Sequence, residues 1–503
     1  MQPSPRDAAT ALGLLVMLAG LCGCVSLDPQ EDAPTPLAVP AHWSEADAAG
    51  AGALGVTEAS LAQWWQRFDD AQLEGLVRSA LQANSSVGVG LAAVQQAQAL
   101  RDVAAASMWP TLASSASAQR GTAGRNSTGS NFKLGLDANW NIDAFGARRA
   151  GMDAGDASAA ASLASLGDVR VQIAAEVALN YILLRTAQAR RLIADDNLAS
   201  QQETLQIALW RQQAGLTTAL ESEQARAAVE QNRALLPALL TSIVQTQHAL
   251  AVLTGRPPAA LRQWLDVPGD QGRVVPQARD GLALGIPGRT LRQRADVRAA
   301  EYQVAAALAR VGQAQAQRRP SFAIGGSLGL GAATVAALGT GGAVVSSLLA
   351  SVTLPVFDGD ALRAQVRVQQ AALGQAQATY RATVLGALQQ VEDALVALRG
   401  DRMRLASLRL AADAASNAAL LARQRYSSGL IDFQTVLDTQ RTQFATLDGV
   451  ASAMADVSSD QVRLFKALGG GWPSADQQGP GGWPSADQQG PGGWPSNLGV
   501  QNR

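Results

Sequence analysis

Phe132-Lys133-Leu134-Gly135-Leu136-Asp137-Ala138-Asn139-Trp140-Asn141-Ile142-Asp143 alternates apolar with polar or small residues without a break. A period of two over this length gives one apolar face and one wet face, the pattern of a β-strand. Phe132, Leu134, Leu136, Trp140 and Ile142 form the apolar row. Lys133, Asp137, Asn139 and Asp143 mark the polar one. About ten residues is the length a tilted strand needs to cross a bilayer. Trp109, Trp140 and Phe145 fall near the strand ends, where interfacial aromatic belts lie. A soluble hairpin with one face on a core shows the same alternation, so the flanking sequence has to decide.

The residues after the strand favour the membrane. Between Gly146 and Gly215 there is no proline, and between Gly359 and Gly429 there is none. The intervals 147–213 and 361–427 are equal in length, and each holds a helix about 100 Å long at ~1.5 Å per residue. Ile173, Val177, Tyr181 and Leu184 stripe the first rod. Val384, Leu388, Val391, Leu395 and Leu398 form a heptad seam on the second. Both rods run into a glycine that accepts positive φ, Gly215 and Gly429. Return helices then cover 219–253, with Pro237 placed to kink the helix, and about 433–468.

Upstream of each rod the order is the same. Trp64 and Trp65 lead into a helical pattern at Leu73, Leu76, Val77 and Ala80, and a second helix over 86–107 stops at Pro110. A strand at about 111–120 comes next, then a polar loop from Gly121 to Asn131, then the strand at 132–143. In the second half the helix up to Arg319 stops at Pro320, and 321–357 carries no charge. That run admits one or two transmembrane helices. Its glycines and its alternation favour instead a hairpin with strands at about 321–331 and 346–356. The chain therefore reads as two repeats, 59–255 and 290–469, joined by a Pro- and Gly-rich segment at 256–289.

The ends read differently. Residues 11–21 are an apolar run of signal-peptide length closing on Cys22-Gly23-Cys24. This resembles a bacterial lipobox, with 1–23 a signal peptide and Cys24 the lipid-bearing first residue of an extended linker to 58. A plain signal peptide with an incidental cysteine is the alternative. At the other end GGWPSADQQGP occurs at 470–480 and again at 481–491, so 470–503 reads as a disordered tail.

Composition excludes other classes. Net charge is −1, which gives no field for nucleic acid. Aromatics are only 4%, too few for one large globular core. Cys22 and Cys24 are the two cysteines, which leaves no disulfide framework in the body. His42 and His248 have no metal-ligand spacing, and no nucleophile or phosphate-loop motif occurs, so neither enzyme nor metal or other cofactor is expected.

The whole order resembles the outer-membrane factor family of the TolC type, in its lipoprotein branch. The carriers are Trp140-Asn141-Ile142-Asp143-Ala144-Phe145-Gly146 and Leu354-Pro355-Val356-Phe357-Asp358-Gly359, where strands meet rods. Leu291 to Val297, Val436-Leu437-Asp438-Thr439-Gln440-Arg441 and Ala467-Leu468-Gly469-Gly470-Gly471-Trp472 add to them. The resemblance implies a mixed, mostly α fold of two tandem repeats, each a membrane β-hairpin plus very long coiled-coil helices. It implies a homotrimer with a twelve-stranded barrel above an α-helical periplasmic tunnel. Physics agrees, because four strands cannot close and lipid tolerates no open edge.

The function implied is the exit duct of a tripartite efflux pump in the bacterial outer membrane, partnered by an inner-membrane pump and a periplasmic adaptor. A type I protein secretion duct and a non-conducting trimeric lipoprotein are the alternatives. The family places Lys133, Asp137, Asn139 and Asp143 in the barrel lumen. Gly215, Thr217, Thr218, Glu221, Tyr426, Gly429, Asp432, Gln434 and Asp438 then belong to the closed periplasmic tip. Asp438 takes the gate position, with Asp432 and Glu221 able to share the role, and Gln434 stands where relatives often carry an apolar plug.

Overall fold

A computed structural model describes residues 40–44, 61–123, 127–266, 274–279, 287–339 and 343–470. The signal segment, Cys24, the linker apart from 40–44, and the tail beyond 470 lie outside the described residues.

The first repeat is α1 (Ala71–Ala83), α2 (Ser85–Ala106), β1 (Thr111–Ala123), β2 (Ser127–Ile142), α3 (Ala147–Gln213), α4 (Ala219–Arg233) and α5 (Leu235–Leu253). The second is α6 (Ala295–Ala316), β3 (Ser321–Ala332), β4 (Ala343–Thr353), α7 (Ala361–Ser427) and α8 (Phe433–Ala467). Both rods, α3 and α7, are 67-residue helices whose limits fall within two residues of Gly146 and Gly215 and of Gly359 and Gly429. The return helix of the first repeat breaks at Ala234. Pro237 has no N–H for the carbonyl of Arg233, and its ring crowds that carbonyl.

The four strands form one antiparallel sheet in the order β1-β2-β3-β4, so β2 and β3 join the repeats. The strands depart from their expected limits. The ladder continues through Gly121↔Gly129, so most of the stretch expected as a polar loop is strand. Neither face is apolar there, and the alternation that marks a membrane strand is missing. In the second hairpin β4 begins at Ala343 and ends at Thr353, before Pro355, which cannot donate to a ladder. The charge-free run thus forms strands and a short helix at Val335–Leu338, not a transmembrane helix.

Register puts Lys133 opposite Ser117 and Gly331, and Asp137 opposite Ala113 and Ser327, on one face. Leu134, Leu136, Trp140, Leu328 and Leu348 share the other face, and Leu348 is 84% exposed. Both outer edges, β1 and β4, lack a partner strand among the described residues.

The helices lie side by side, α2 and α5 against α3, α6 between α3 and α7, and α8 against α7 and α3. Large side chains gather at the waist. Trp64 is fully buried and stacks on Phe465 at 5.4 Å, among Leu73, Leu76, Tyr181, Leu184, Leu250 and Leu265. The guanidinium of Arg185, buried there, donates to the Tyr181 hydroxyl and to Gln72 at 2.7 Å. The heptad seam of α7 packs Val391, Leu395 and Leu398 on Val457 and Leu464 of α8. Trp43, from the described piece of the linker, is buried in that seam, and Ser44 hydrogen-bonds Glu392 at 2.8 Å. The segment between the repeats crosses α8 as a strap, where Ser458 donates to the carbonyl of Pro276 and Gln461 pairs with the backbone of Ala278.

Candidate functional site

At the far end of each rod the chain reverses in the same way. Gly215 has φ +73°, its N–H donates to Gln212 O at 3.0 Å, and Leu216 N–H donates to Arg211 O at 2.9 Å. Gly429 has φ +73°, its N–H donates to Tyr426 O at 2.9 Å, and Leu430 N–H donates to Arg425 O at 2.9 Å. This is the Schellman closure, and it needs a residue that tolerates the left-handed region. Leu216 and Leu430 are left exposed at the two turns.

The turns enter their return helices differently. Asp432 accepts from Thr435 N–H at 2.8 Å and caps α8, and hydrogen bonds from Thr435 hold its carboxyl below the usual range. Thr218 occupies the same place before α4 but makes no side-chain cap. The neighbouring Thr217 hydroxyl is buried without a partner among the described residues.

Tyr426 ties the two hairpin tips together. Its hydroxyl donates to Glu221 Oε2 at 2.9 Å, and its ring lies 5.6 Å from that of Phe433. The Arg211 guanidinium sits 4.6 Å over the ring and donates to the Tyr426 carbonyl at 2.8 Å. Burial and the Glu221 carboxylate push the hydroxyl up to about 12, so it stays a donor at neutral pH. Beneath it Ala208, Ala225, Ala422, Val436 and Leu437 pack together. The small residues let the helices approach closely.

Asp438 stands apart from that link. Phe433, Val436, Leu437 and Gln440 bury one side of α8, and Gln434, Asp438 and Arg441 occupy the other. Gln434 donates to Asp438 Oδ1 at 2.9 Å, and Arg441 comes within 3.8 Å of the same oxygen. The carboxylate is therefore one member of an exposed polar row that faces away from the rest of the chain.

In the sheet, Lys133, Asp137 and Asn139 share one face, and Ser115 donates to Asp137 Oδ2 at 2.9 Å. Asp143 does not continue that row. It lies beyond the end of β2, and its two oxygens accept from the N–H groups of Arg148 at 3.1 Å and Arg149 at 2.9 Å, capping α3. The parity of the strand pattern carried one residue too far, into a helix cap.

Sequence reasoning missed Arg211. Its signal was the duplication itself, since Arg211 and Arg425 stand at the same place before the two turns. It also missed Asp460 on α8, which is 1% exposed and has one oxygen without a partner among the described residues.

Comparisons with known proteins agree with this geometry. The family described as outer membrane efflux protein matches residues 76–256 and 286–470. The chain is 31% identical over 475 residues to outer membrane protein OprJ of Pseudomonas aeruginosa, covering 92% of this chain and 96% of that protein. It is 31% identical to the pyoverdine export outer membrane protein OpmQ of the same species, covering 92% and 98%. It superposes on the solved outer-membrane channel OprN with a TM-score of 0.82 at 32% identity, covering 88% of this chain and 99% of that one. The chain belongs to the outer membrane efflux protein family, the exit ducts of the outer membrane.

Proposed function

We propose that three copies of this chain close into one duct, which receives solutes from an inner-membrane pump through a periplasmic adaptor and releases them outside. The observation that carries this is the pair of unpaired strand edges on a sheet with one apolar face. In lipid those edges have to meet further strands, and three four-stranded sheets make a barrel. The helical flanks repeat the argument, because α2 exposes Val103 and α7 exposes Leu385, Val396, Met403 and Leu410.

In such a trimer the face with Lys133, Asp137 and Asn139 lines the barrel, and the Gly215 and Gly429 turns form the periplasmic end. Asp438 recurs three times around the axis, and Gln434 and Arg441 set how much of its charge is felt. The Tyr426–Glu221 hydrogen bond holds the two hairpin tips of each chain together and keeps the end closed. A lipid on Cys24 supplies a second anchor beside the barrel.

Expression in cells lacking their own ducts, with a compatible pump and adaptor, tests the reading. Ethidium accumulation should fall several-fold. Unchanged accumulation, with the trimer present in the outer membrane, counts against it.

A further inference from the structure

A cavity of about 810 Å³ opens where the rods meet the strands, between the ends of α2, α3, α6 and α7. That volume lies in the range of small-molecule sites. Three arginines line it: Arg148, Arg310 and Arg319. Other arginines do meet carboxylates, as Arg101 of α2 meets Asp156 and Arg190 of α3 meets Asp448, each at 2.7 Å. These three do not. Arg148 donates to the carbonyl of Ser107, Arg310 comes within 3.3 Å of the Ser158 hydroxyl, and Arg319 lies over the Phe145 ring. Asp143 is the one acid in the lining, and both of its oxygens are already held by backbone N–H groups. Among the described residues, then, three guanidinium groups share one cavity with no carboxylate paired to any of them.

The rest of the wall mixes neutral polar side chains, Asn141, Gln313, Gln317, Gln365 and Gln369 among them, with an apolar part. Leu100 is 62% exposed toward open space, and Phe145 and Phe322 lie 6.2 Å apart at the base of the strands. We propose that this cavity is a binding site for an amphiphile with an anionic head. Arg148, Arg310 and Arg319 take the acid, and Leu100, Phe145 and Phe322 take the apolar body. Guanidinium forks suit phosphate and carboxylate, and the neutral polar groups of the wall leave the three positive charges unopposed. The head group can come from two sources, a lipid phosphate of the surrounding membrane or an acidic amphiphilic cargo. The chemistry is the same for both.

Calorimetric titration of the full-length protein in amphipol with dodecyl phosphate tests the site. It reads binding without flux, so its outcome is independent of whether the duct conducts. Saturable binding is expected, with no competition from dodecyl maltoside and no binding of dodecyltrimethylammonium. Arg148→Gln, Arg310→Gln and Arg319→Gln should each weaken binding about tenfold, the loss of one charge-assisted contact. Arg310→Gln guards against misfolding, because among the described residues that exposed side chain makes one long hydrogen bond. Native mass spectrometry of protein taken from membranes containing phosphatidylglycerol then separates the sources. Retained lipid that the triple variant lacks assigns the head group to the membrane. Bare protein that still binds dodecyl phosphate assigns it to cargo. Equal binding by wild type and all three variants, or equal affinity for the ammonium amphiphile, overturns the site.

Discussion

Asn84 and Arg294 hold the same station in the two repeats. The Asn84 amide donates to the carbonyl of Leu253 at 2.8 Å, and the Arg294 guanidinium donates to the carbonyl of Ala467 at 2.8 Å. Each closes the C-terminus of a return helix onto the start of the helix that leads to the strands. The chemistry differs. Asn84 also caps α2 through Ser86 N–H. Arg294, 6% exposed, pairs with Asp296 at 2.7 Å and donates to Gln390 at 2.9 Å.

The two stations should therefore differ in cost. Asn84→Ala loses a cap and one hydrogen bond, about 1–2 kcal/mol. Arg294→Ala leaves Asp296 without its partner and should cost about 3 kcal/mol or more. Thermal unfolding of both variants in one detergent checks the order. A larger loss for Asn84→Ala contradicts the pairing described here.

The waist should also respond to pH. Asp460 is buried, and Asp401 on α7 faces it across the helix pair, while Arg463 pairs with it at 2.7 Å. Burial first, and Asp401 after it, raise the Asp460 carboxyl from 3.8 to about 6. A raised value means the fold binds this proton more tightly than the unfolded chain does. The contribution is whole below pH 3.8, declines as pH rises, and is gone above about 6. Its size is at most about 3 kcal/mol. Melting temperatures from pH 4 to pH 8 should fall more steeply in wild type than in Asp460→Asn. Identical profiles mean the carboxyl does not titrate in that window.

The sheet parity has its own check. Single cysteines at Asp137 and Leu136 lie on opposite faces of β2. In membranes a water-soluble thiol reagent should label position 137 and spare 136. Equal labelling contradicts the lumen assignment.

The tip link predicts a gating phenotype. Tyr426→Phe keeps the ring under Arg211 and removes the hydrogen bond to Glu221. Stability should drop by about 1 kcal/mol, and resting conductance should rise. Wild-type conductance with the hydroxyl gone means the tips are held by packing alone.

Legibility in the sequence differed between features for physical reasons. The rods could be read to the residue, because no proline interrupts them and glycines with positive φ stand at their ends. The strand limits could not, because the ladder around Gly121 and Gly129 has no apolar face to announce it. Asp143 continued the strand's parity, and only its contacts with Arg148 and Arg149 show that it is a cap. Glu221 and Tyr426 were both legible as tip residues, yet their hydrogen bond depends on two hairpins lying side by side. Asp460 and Arg185 were hidden for a different reason. A periodicity search counts apolar residues along a seam and passes over a buried charge within it.

Conductance of the purified protein in planar bilayers, wild type beside Asp438→Asn, tests the duct most directly. The wild type should form low-conductance, cation-preferring channels, since three carboxylates around one axis attract cations and resist anions. Asp438→Asn should raise the resting conductance and shift the reversal potential in a salt gradient toward zero preference. Trimers that insert and pass no current contradict the account.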